Sequence, residues 1–225
     1  MRKTLLTLSG CILILSSFSQ IANEFRSSTP RMIPYGQLPN EKDQTVQSLF
    51  IEQVWSPGQV KFKTNTVLSL PLIFDVYSNK LYFLQHNQIM EFAEPVTEFS
   101  MKLLKKSDTV TVAYRNNYPA VDKNTQETFY EILVDGDYQL LRCKAKTIHL
   151  YKDEEVPEEK RDYSKELFYA LLPGNKMVQL KKDKEFVLKQ MPGQAETIKT
   201  LAAEHKLKLK NEAQLVELFQ LLNNQ

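Results

Sequence analysis

The chain has 225 residues, of which 42% are hydrophobic and 25% are charged, and it has six glycines. This composition excludes disordered, collagen-like and membrane-bundle proteins, and the length suits one domain with a helical appendix. The formal net charge is +2. Segment 1–19 contains two basic residues and no acidic ones, so the rest of the chain is close to neutral. Such a balance argues against binding to nucleic acid or to anionic lipid.

Residues 1–19 have the features of a secretory signal peptide. Two basic residues precede an apolar run, and small residues precede Gln20. The run is shorter than the roughly 20 residues that a membrane-spanning helix needs. We therefore expect cleavage after Ser19, a secreted or periplasmic location and no transmembrane helix in the mature chain.

The two cysteines suggest different roles. Residues 8–11, Leu-Ser-Gly-Cys, resemble a bacterial lipobox, in which Cys11 would be lipidated, but the apolar run continues past it to Leu15. A lipoprotein anchored at Cys11 is the alternative to a free exported protein. Cys143 is the only cysteine after cleavage at Ser19, so no internal disulfide can form, and we interpret it as a small buried apolar residue.

Composition and periodicity divide the chain into four segments. They are the signal peptide at 1–19, a polar lead-in at 20–58, a β-rich domain at 59–182 and C-terminal helices at 183–225 that pack on the sheet. Trp55, near the end of the lead-in, is interpreted as a plug for the core, with a carbohydrate-stacking surface as the alternative.

Short strands at close spacing dominate the β-rich segment. Val60 and Phe62 alternate with Lys61 and Lys63, which predicts a first strand with an apolar inner face. Pro71 predicts a strand end or an edge, because proline has no N–H for a ladder. Further strands are predicted at 67–77, 81–84, 88–93, 96–103 and 109–114. The pattern favours an antiparallel meander that closes as a barrel or coils strongly.

Residues 129–148 predict the central β-hairpin, with an Asp-Gly turn at 135–136. Alternation along the second arm places Leu141 and Cys143 in the core and Arg142 in water.

Two registers fit this hairpin. A two-residue loop pairs Ile132 with Gln139. A three-residue loop pairs Ile132 with Leu140 and Val134 with Tyr138, and we favour it because it gathers the apolar residues.

The second half of the chain continues with strands and then changes to helical periodicity. Residues 151–165 are so rich in charge that they predict a solvated loop or a strand extension, with a functional acidic patch as the alternative. Strands at 166–172 and 177–180 flank a Pro-Gly-Asn turn.

Three helices are predicted after this hairpin. Asp183 is a predicted N-cap for a helix that ends at Gln190, and Asn211 is the predicted cap of the last helix. The apolar stripes predict packing on the sheet, with partner recognition as the alternative. They comprise Ala195, Ile198, Leu201 and Ala202 in one helix and Leu215, Leu218, Phe219 and Leu222 in another.

A search for reactive residues assigns no catalytic, cofactor-binding or metal-binding residue and no cofactor. The three histidines, His86, His149 and His205, lack the spacing of a metal site. A loop starting at Asp122 lacks the glycine and the final acid of a calcium loop, and one starting at Asp135 lacks the final acid. Glu131 and Asp137 are interpreted as ordinary strand and turn residues. No nucleophile elbow, phosphate loop or dinucleotide motif occurs.

Four stretches of the chain carry a family resemblance. They are the Ser-Phe-Ser end of the signal, the segment at 74–81, the hairpin arms at 129–133 and 140–142, and the tail at 207–223. In these the chain is similar to uncharacterised secreted proteins of Bacteroidota, which implies export and carries no activity.

Together these observations predict an exported α+β protein, with an antiparallel β-meander or barrel-like sheet followed by two or three helices. The expected function is a non-catalytic binding or structural role in the bacterial cell envelope, with a protein or small-molecule partner. The alternatives are an envelope hydrolase whose carboxylates converge only in the fold and a carrier of a small apolar ligand.

Overall fold

The computed structural model describes residues 31–32, 55–86, 88–105, 108–153 and 156–225. The predicted signal peptide and the lipobox at Cys11 lie outside these ranges.

The described residues form a single antiparallel sheet. Its strands are β1 (Arg31–Met32), β2 (Ser56–Phe62), β3 (Val67–Asp75), β4 (Lys80–Gln85), β5 (Gln88–Glu91), β6 (Val96–Lys105), β7 (Asp108–Arg115), β8 (Tyr130–Val134), β9 (Gln139–Asp153), β10 (Val156–Leu172) and β11 (Lys176–Leu180). The spatial order is β1-β5-β4-β3-β2-β6-β7-β8-β9-β10-β11. The predicted α+β class is confirmed, and the sheet is open because its two end strands do not pair with each other.

Three helices follow the sheet. They are α1 (Lys184–Gln190), α2 (Ala195–Glu204) and α3 (Glu212–Asn223), with a 3₁₀ turn between the first two at Pro192–Gln194. The Asp183 carboxylate accepts a hydrogen bond from the Phe186 N–H, and the Asn211 side chain accepts one from the Gln214 N–H. Both predicted N-caps are confirmed.

The first half of the sheet is coiled. β5 ends at Glu91 and β6 begins at Val96, although β4, β3 and β2 lie between them in the sheet. In a flat sheet the two strands would be about 19 Å apart, and the chain between them reaches about 18 Å only when fully extended. The sheet therefore curls inward, and the ring of Phe92 in the connection lies 5.8 Å from that of Phe62 and 4.5 Å from that of Phe83.

Aromatic side chains fill the inside of this curl. The ring of Phe99 lies 4.7 Å from that of Tyr114, 5.1 Å from that of Phe74 and 5.0 Å from that of Phe129. Phe99 is 1% exposed. Burying a ring of this kind stabilises the fold by about 1.5–3 kcal/mol.

Pro71 lies inside β3 and not at its end. It is opposite Pro57 of β2, and the pairing of β3 with β4 begins only at Leu72. Two facing prolines have no N–H to exchange, so they form a non-hydrogen-bonded pair. The missing N–H of Pro71 thus falls where β4 does not pair, which makes a local edge within a central strand.

The second half of the sheet is covered on both faces. Helix α3 buries Leu218 and Phe219 against one face, together with Leu140 of β9. The opposite face carries Leu141 and Tyr169. The prediction that one face of the central hairpin is wet is therefore wrong near its turn, where Arg142 is 7% exposed.

Both predicted registers of the central hairpin are wrong. Ile132 pairs with Leu141, and Val134 pairs with Leu140, with a bulge between these pairs.

A side chain from α3 forms hydrogen bonds inside the turn of this hairpin. The Asn223 amide accepts a hydrogen bond from the Tyr138 N–H and donates one to the Tyr138 carbonyl, each at 2.9 Å. Gly136 has φ of 142°, and a Cβ there would lie 2.7 Å from the Asn223 side chain. The loop therefore closes around Asn223. Rules for turns consider only neighbouring residues and do not predict this contact.

The charged stretch at 151–165 forms strand. β9 and β10 pair from Gln139 opposite Leu171 to Asp153 opposite Val156. The strand-extension interpretation is confirmed for the described part of this stretch, and residues 154 and 155 lie outside it.

Candidate binding cleft

An open cleft of about 410 Å³ lies at the ends of several strands. It forms where the β2–β3 turn, the start of β6, the segment after β7 and the β10–β11 turn meet. Its volume is at the lower end of the range of ligand pockets.

Three turn asparagines line the cleft with left-handed backbones. Asn65, Asn117 and Asn175 have φ of 63°, 64° and 60°. Asparagine is one of the few residues with a Cβ that adopts this conformation readily. The side-chain amides of Asn65 and Asn175 form no hydrogen bond with any residue that the structure describes, so both remain available to a ligand.

Two lysines stand at the rim of the cleft. Lys61 and Lys63 are exposed, as their alternation with Val60 and Phe62 predicted. Neither ammonium group has an ion-pair partner among the described residues. The Lys61 carbonyl accepts a hydrogen bond of 3.0 Å from the Thr97 hydroxyl, which ties β2 to the start of β6.

Arg115 forms a closed ion-pair group in the cleft wall. Its Nε donates to Glu98 at 2.7 Å, and its two terminal nitrogens donate to Asp135 at 3.2 and 3.0 Å. Burial lowers the pKa of Arg115, but the hydrogen bonds to the two carboxylates raise it by more. The same guanidinium lowers the pKa of Asp135 against the opposing effect of burial. Arg115 and Asp135 therefore stay charged at neutral pH.

Tyr118 links the cleft to a cluster of buried tyrosines. Its hydroxyl donates to Gln139 at 2.9 Å, and its ring packs edge-on against Tyr130 at 5.5 Å. Burial raises the pKa of Tyr118 to about 12, although Arg115 acts in the opposite direction. The phenol is therefore neutral at physiological pH.

The tyrosine cluster contains two buried polar atoms without a well-formed hydrogen bond to the described residues. They are the Tyr130 hydroxyl and the Asn124 amide nitrogen. Burial raises the pKa of Cys143 in the same cluster to about 11, although the Asn124 amide acts in the opposite direction. Cys143 is 6% exposed and its thiol stays protonated, so the interpretation of Cys143 as a buried apolar residue is confirmed.

A second charged cluster lies under α3. Arg142 donates to Glu131 at 2.5 Å and to Glu212 at 2.6 Å, and Lys144 lies 3.7 Å from Glu131. Glu131 lies in β8, as its interpretation as a strand residue requires, and is 3% exposed. The cluster joins β8, β9 and α3, so we assign it a structural role.

The other residues considered from the sequence do not form a site. His86 and His205 are exposed on different elements, and the His149 side chain lies outside the description. Asp122 sits in a turn and accepts a hydrogen bond from Tyr169 at 3.3 Å. No group of three metal-ligating side chains occurs among the residues that the structure describes.

The sequence predicted that the cleft lysines are exposed. It did not identify any residue of the cleft as part of a site. A usable signal was the recurrence of asparagine at strand ends. It could not be located in space, because the turns that meet in the cleft are far apart in the chain.

Comparison of the chain with protein-family models, with curated proteins and with solved structures finds no match. Within the described ranges, no helix has the length and apolar character to cross a membrane.

Proposed function

We propose that this protein is an exported, non-catalytic binding protein of the cell envelope, and that the cleft holds a small polar ligand. The observation that carries the proposal is the set of unpaired polar groups in the cleft, namely the amides of Asn65 and Asn175 and the ammonium groups of Lys61 and Lys63. These four side chains are exposed to solvent, and a ligand that replaces their hydrogen bonds to water can bind there. Groups left open together in one concave site favour binding.

The carboxylates near the cleft favour binding over hydrolysis. A glycoside hydrolase needs one carboxylic acid with a raised pKa to protonate the leaving group. Glu98 and Asp135 instead share the guanidinium of Arg115, and the pKa of Asp135 is lowered. Carboxylates held in this way position Arg115, and the lowered pKa of Asp135 is the opposite of what the acid of a hydrolase needs.

The packing of the coiled half favours a polar ligand over an apolar one. A carrier of apolar ligands needs an internal cavity with apolar walls. Here the rings of Phe74, Phe99 and Phe129 contact each other inside the curl, at centroid distances of 5.0–5.9 Å. The side chains fill the space that an apolar ligand would occupy.

Amide NMR of the mature chain tests the site. Neutral and charged monosaccharides and free amino acids are titrated, and we expect shifts that cluster at the cleft. Asn65→Gly and Asn175→Gly keep a residue that accepts the left-handed backbone and remove the amide. Each should weaken binding about fivefold, because it removes one or two ligand hydrogen bonds.

His86→Gly is the matched control. His86 is also an exposed turn residue with positive φ, at 49°, and it lies away from the cleft. It should leave binding unchanged. Shifts that cluster elsewhere, or no shift with any solute, would contradict the proposal.

Export is tested by the intact mass of the protein recovered from its native host. A soluble chain that starts at Gln20 is expected. A lipidated chain that starts at Cys11, in the membrane fraction, would replace free export with surface anchoring.

A further inference from the structure

We infer that two copies of this chain associate through the free edge of β10, with the two β10 strands antiparallel and Asp162 at the two-fold axis. Residues 159–167, which lie beyond the part of β10 that β11 covers, form the contact. The inference goes beyond the proposed function and does not depend on it, because the cleft lies at the opposite end of β10, at its turn to β11.

The outer parts of β9 and β10 form a two-stranded ribbon that extends from the sheet. β8 pairs with β9 only as far as Arg142, and β11 pairs with β10 only from Phe168 onwards. Beyond these positions, in the part of the chain that the structure describes, β9 and β10 pair only with each other. The ribbon is about 31 Å long from Lys144 to Asp153.

Such a ribbon has two edges with unpaired backbone groups. Every second residue of each strand directs its N–H and C=O away from the partner strand. An isolated two-stranded ribbon is only marginally stable in water, and a bare edge can accept a strand from another chain. A second copy that pairs with one edge would extend the ribbon to four strands and stabilise it.

The distribution of charge favours the edge of β10 over that of β9. Residues 144–153 of β9 contain three lysines and one aspartate, so two copies of this segment would repel each other. Lysines on an edge strand are a common means of preventing strand addition. Residues 159–167 of β10 contain three acidic and three basic residues, so this segment is neutral and can lie beside a copy of itself.

The order of the charges in β10 is self-complementary in an antiparallel pair. Because the outward-facing groups recur at every second residue, a strand that pairs with its own copy has one residue at the two-fold axis. With Asp162 there, Glu159 of each copy lies opposite Lys165 of the other. Each Asp162 is then the diagonal neighbour of Lys160 in the other copy. Opposite charges at such positions stabilise the pairing of strands.

Sedimentation of the mature chain tests the association, from about 1 μM to about 1 mM, the range of weak binding. We expect a reversible equilibrium between monomer and dimer. Hydrogen exchange followed by NMR locates the contact. Alternate amides of residues 159–167 should exchange more slowly as the protein concentration rises, and those of residues 144–153 should not change. A monomer at every concentration, or protection of residues 144–153 instead, would overturn the inference.

An exchange of charges between copies tests the register. Glu159→Lys alone and Lys165→Glu alone each place like charges opposite one another at two positions. Each variant should therefore weaken dimerisation about tenfold. A mixture of the two variants should restore it, because each copy then places both of its charges opposite charges of the other sign. A mixture that stays monomeric would overturn the pairing about Asp162.

The matched controls are Glu185→Lys and Lys189→Glu. Both residues are exposed on α1, away from the ribbon, and each control makes the same change of charge as one of the ribbon variants. Neither should alter the equilibrium between monomer and dimer. A loss of dimer in the controls as large as in the ribbon variants would overturn the assignment of the contact to β10.

Discussion

Arg142 is held between the sheet and the helical layer by carboxylates from different elements. Glu131 comes from β8 and Glu212 is the first residue of α3. Burial lowers the pKa of Arg142, but hydrogen bonding and the negative charges of these carboxylates raise it by more. The buried cation is thus fully paired, and its removal would leave Glu131 buried without its main partner.

Arg142→Met is expected to lower the free energy of unfolding by about 3–5 kcal/mol, as for other buried ion pairs that lose one partner. Urea denaturation followed by circular dichroism measures the change. The double variant Arg142→Met with Glu131→Leu should recover most of the loss, because the pair is then replaced by apolar groups. A single variant as stable as the wild type would contradict the structural role of the cluster.

Tyr130→Phe is expected to be neutral or to stabilise the protein by about 1 kcal/mol, because the variant removes a buried hydroxyl that lacks a well-formed partner among the described residues. Tyr169→Phe is the control, since its hydroxyl donates to Asp122, and it should cost about 1 kcal/mol. Thermal unfolding of both variants decides the comparison. The reverse order would show that Tyr130 has a strong partner.

Alternation in the sequence located the buried residues of β9 on one face but placed Arg142 in water. The rule assumes that one face of a strand is solvated, and helix α3 covers that face here. The carboxylate partners of Arg142 come from residues 11 and 70 positions away. Such pairings arise only from the tertiary fold.

At the scale of elements, β2 and β6 approach closely at Gly58. A Cβ at this position would come within 2.5 Å of both the Ser100 carbonyl oxygen and the Leu72 side chain. The contact is with backbone on one side, so the clash cannot be relieved by a side-chain rotation alone.

Gly58→Ala is therefore expected to destabilise the protein by at least about 2 kcal/mol, in the range of overpacked cores. Gly193→Ala is the matched control, because a Cβ at that position would meet no atom within 4 Å, and it should change stability by less than about 1 kcal/mol. Urea midpoints of the two variants provide the measurement. Equal midpoints would show that β2 and β6 can move apart at no cost.

The elements themselves differ in how well the sequence predicts them. The caps at Asp183 and Asn211 were predictable because each depends on a few neighbouring residues. The register of the central hairpin was not, because its turn is hydrogen-bonded to Asn223, which lies 85 residues away in the chain. The cleft was unpredictable for the same reason, since it exists only where separate turns meet.

At the scale of the whole molecule, the pKa values of several buried cysteine and tyrosine side chains are all raised. Burial raises the pKa of Cys143 to about 11 and the pKa values of Tyr118 and Tyr130 to about 12. The unfolded chain releases these protons at lower pH, near the ordinary pKa values of 9.0 for cysteine and 10.0 for tyrosine. Between these limits the unfolded state binds fewer protons, so stability falls as pH rises.

The free energy of unfolding should thus be nearly constant from pH 7 to about pH 8.5 with respect to these groups and decline from about pH 9 to pH 12. Urea denaturation at half-unit intervals of pH measures the profile. The double variant Cys143→Ala with Tyr118→Phe should show a shallower decline. A profile that rises across this range would contradict the burial of these groups.

The coiled connection between β5 and β6 also determines which fragments can exist. β2 pairs on one side with β3 and on the other with β6, so a fragment that stops before Val96 would leave the second edge of β2 bare. A bare strand edge beside exposed apolar residues is a template for aggregation. Strands β2 to β5 are therefore not expected to fold by themselves. Expression trials of shortened chains should retain β6 and β7.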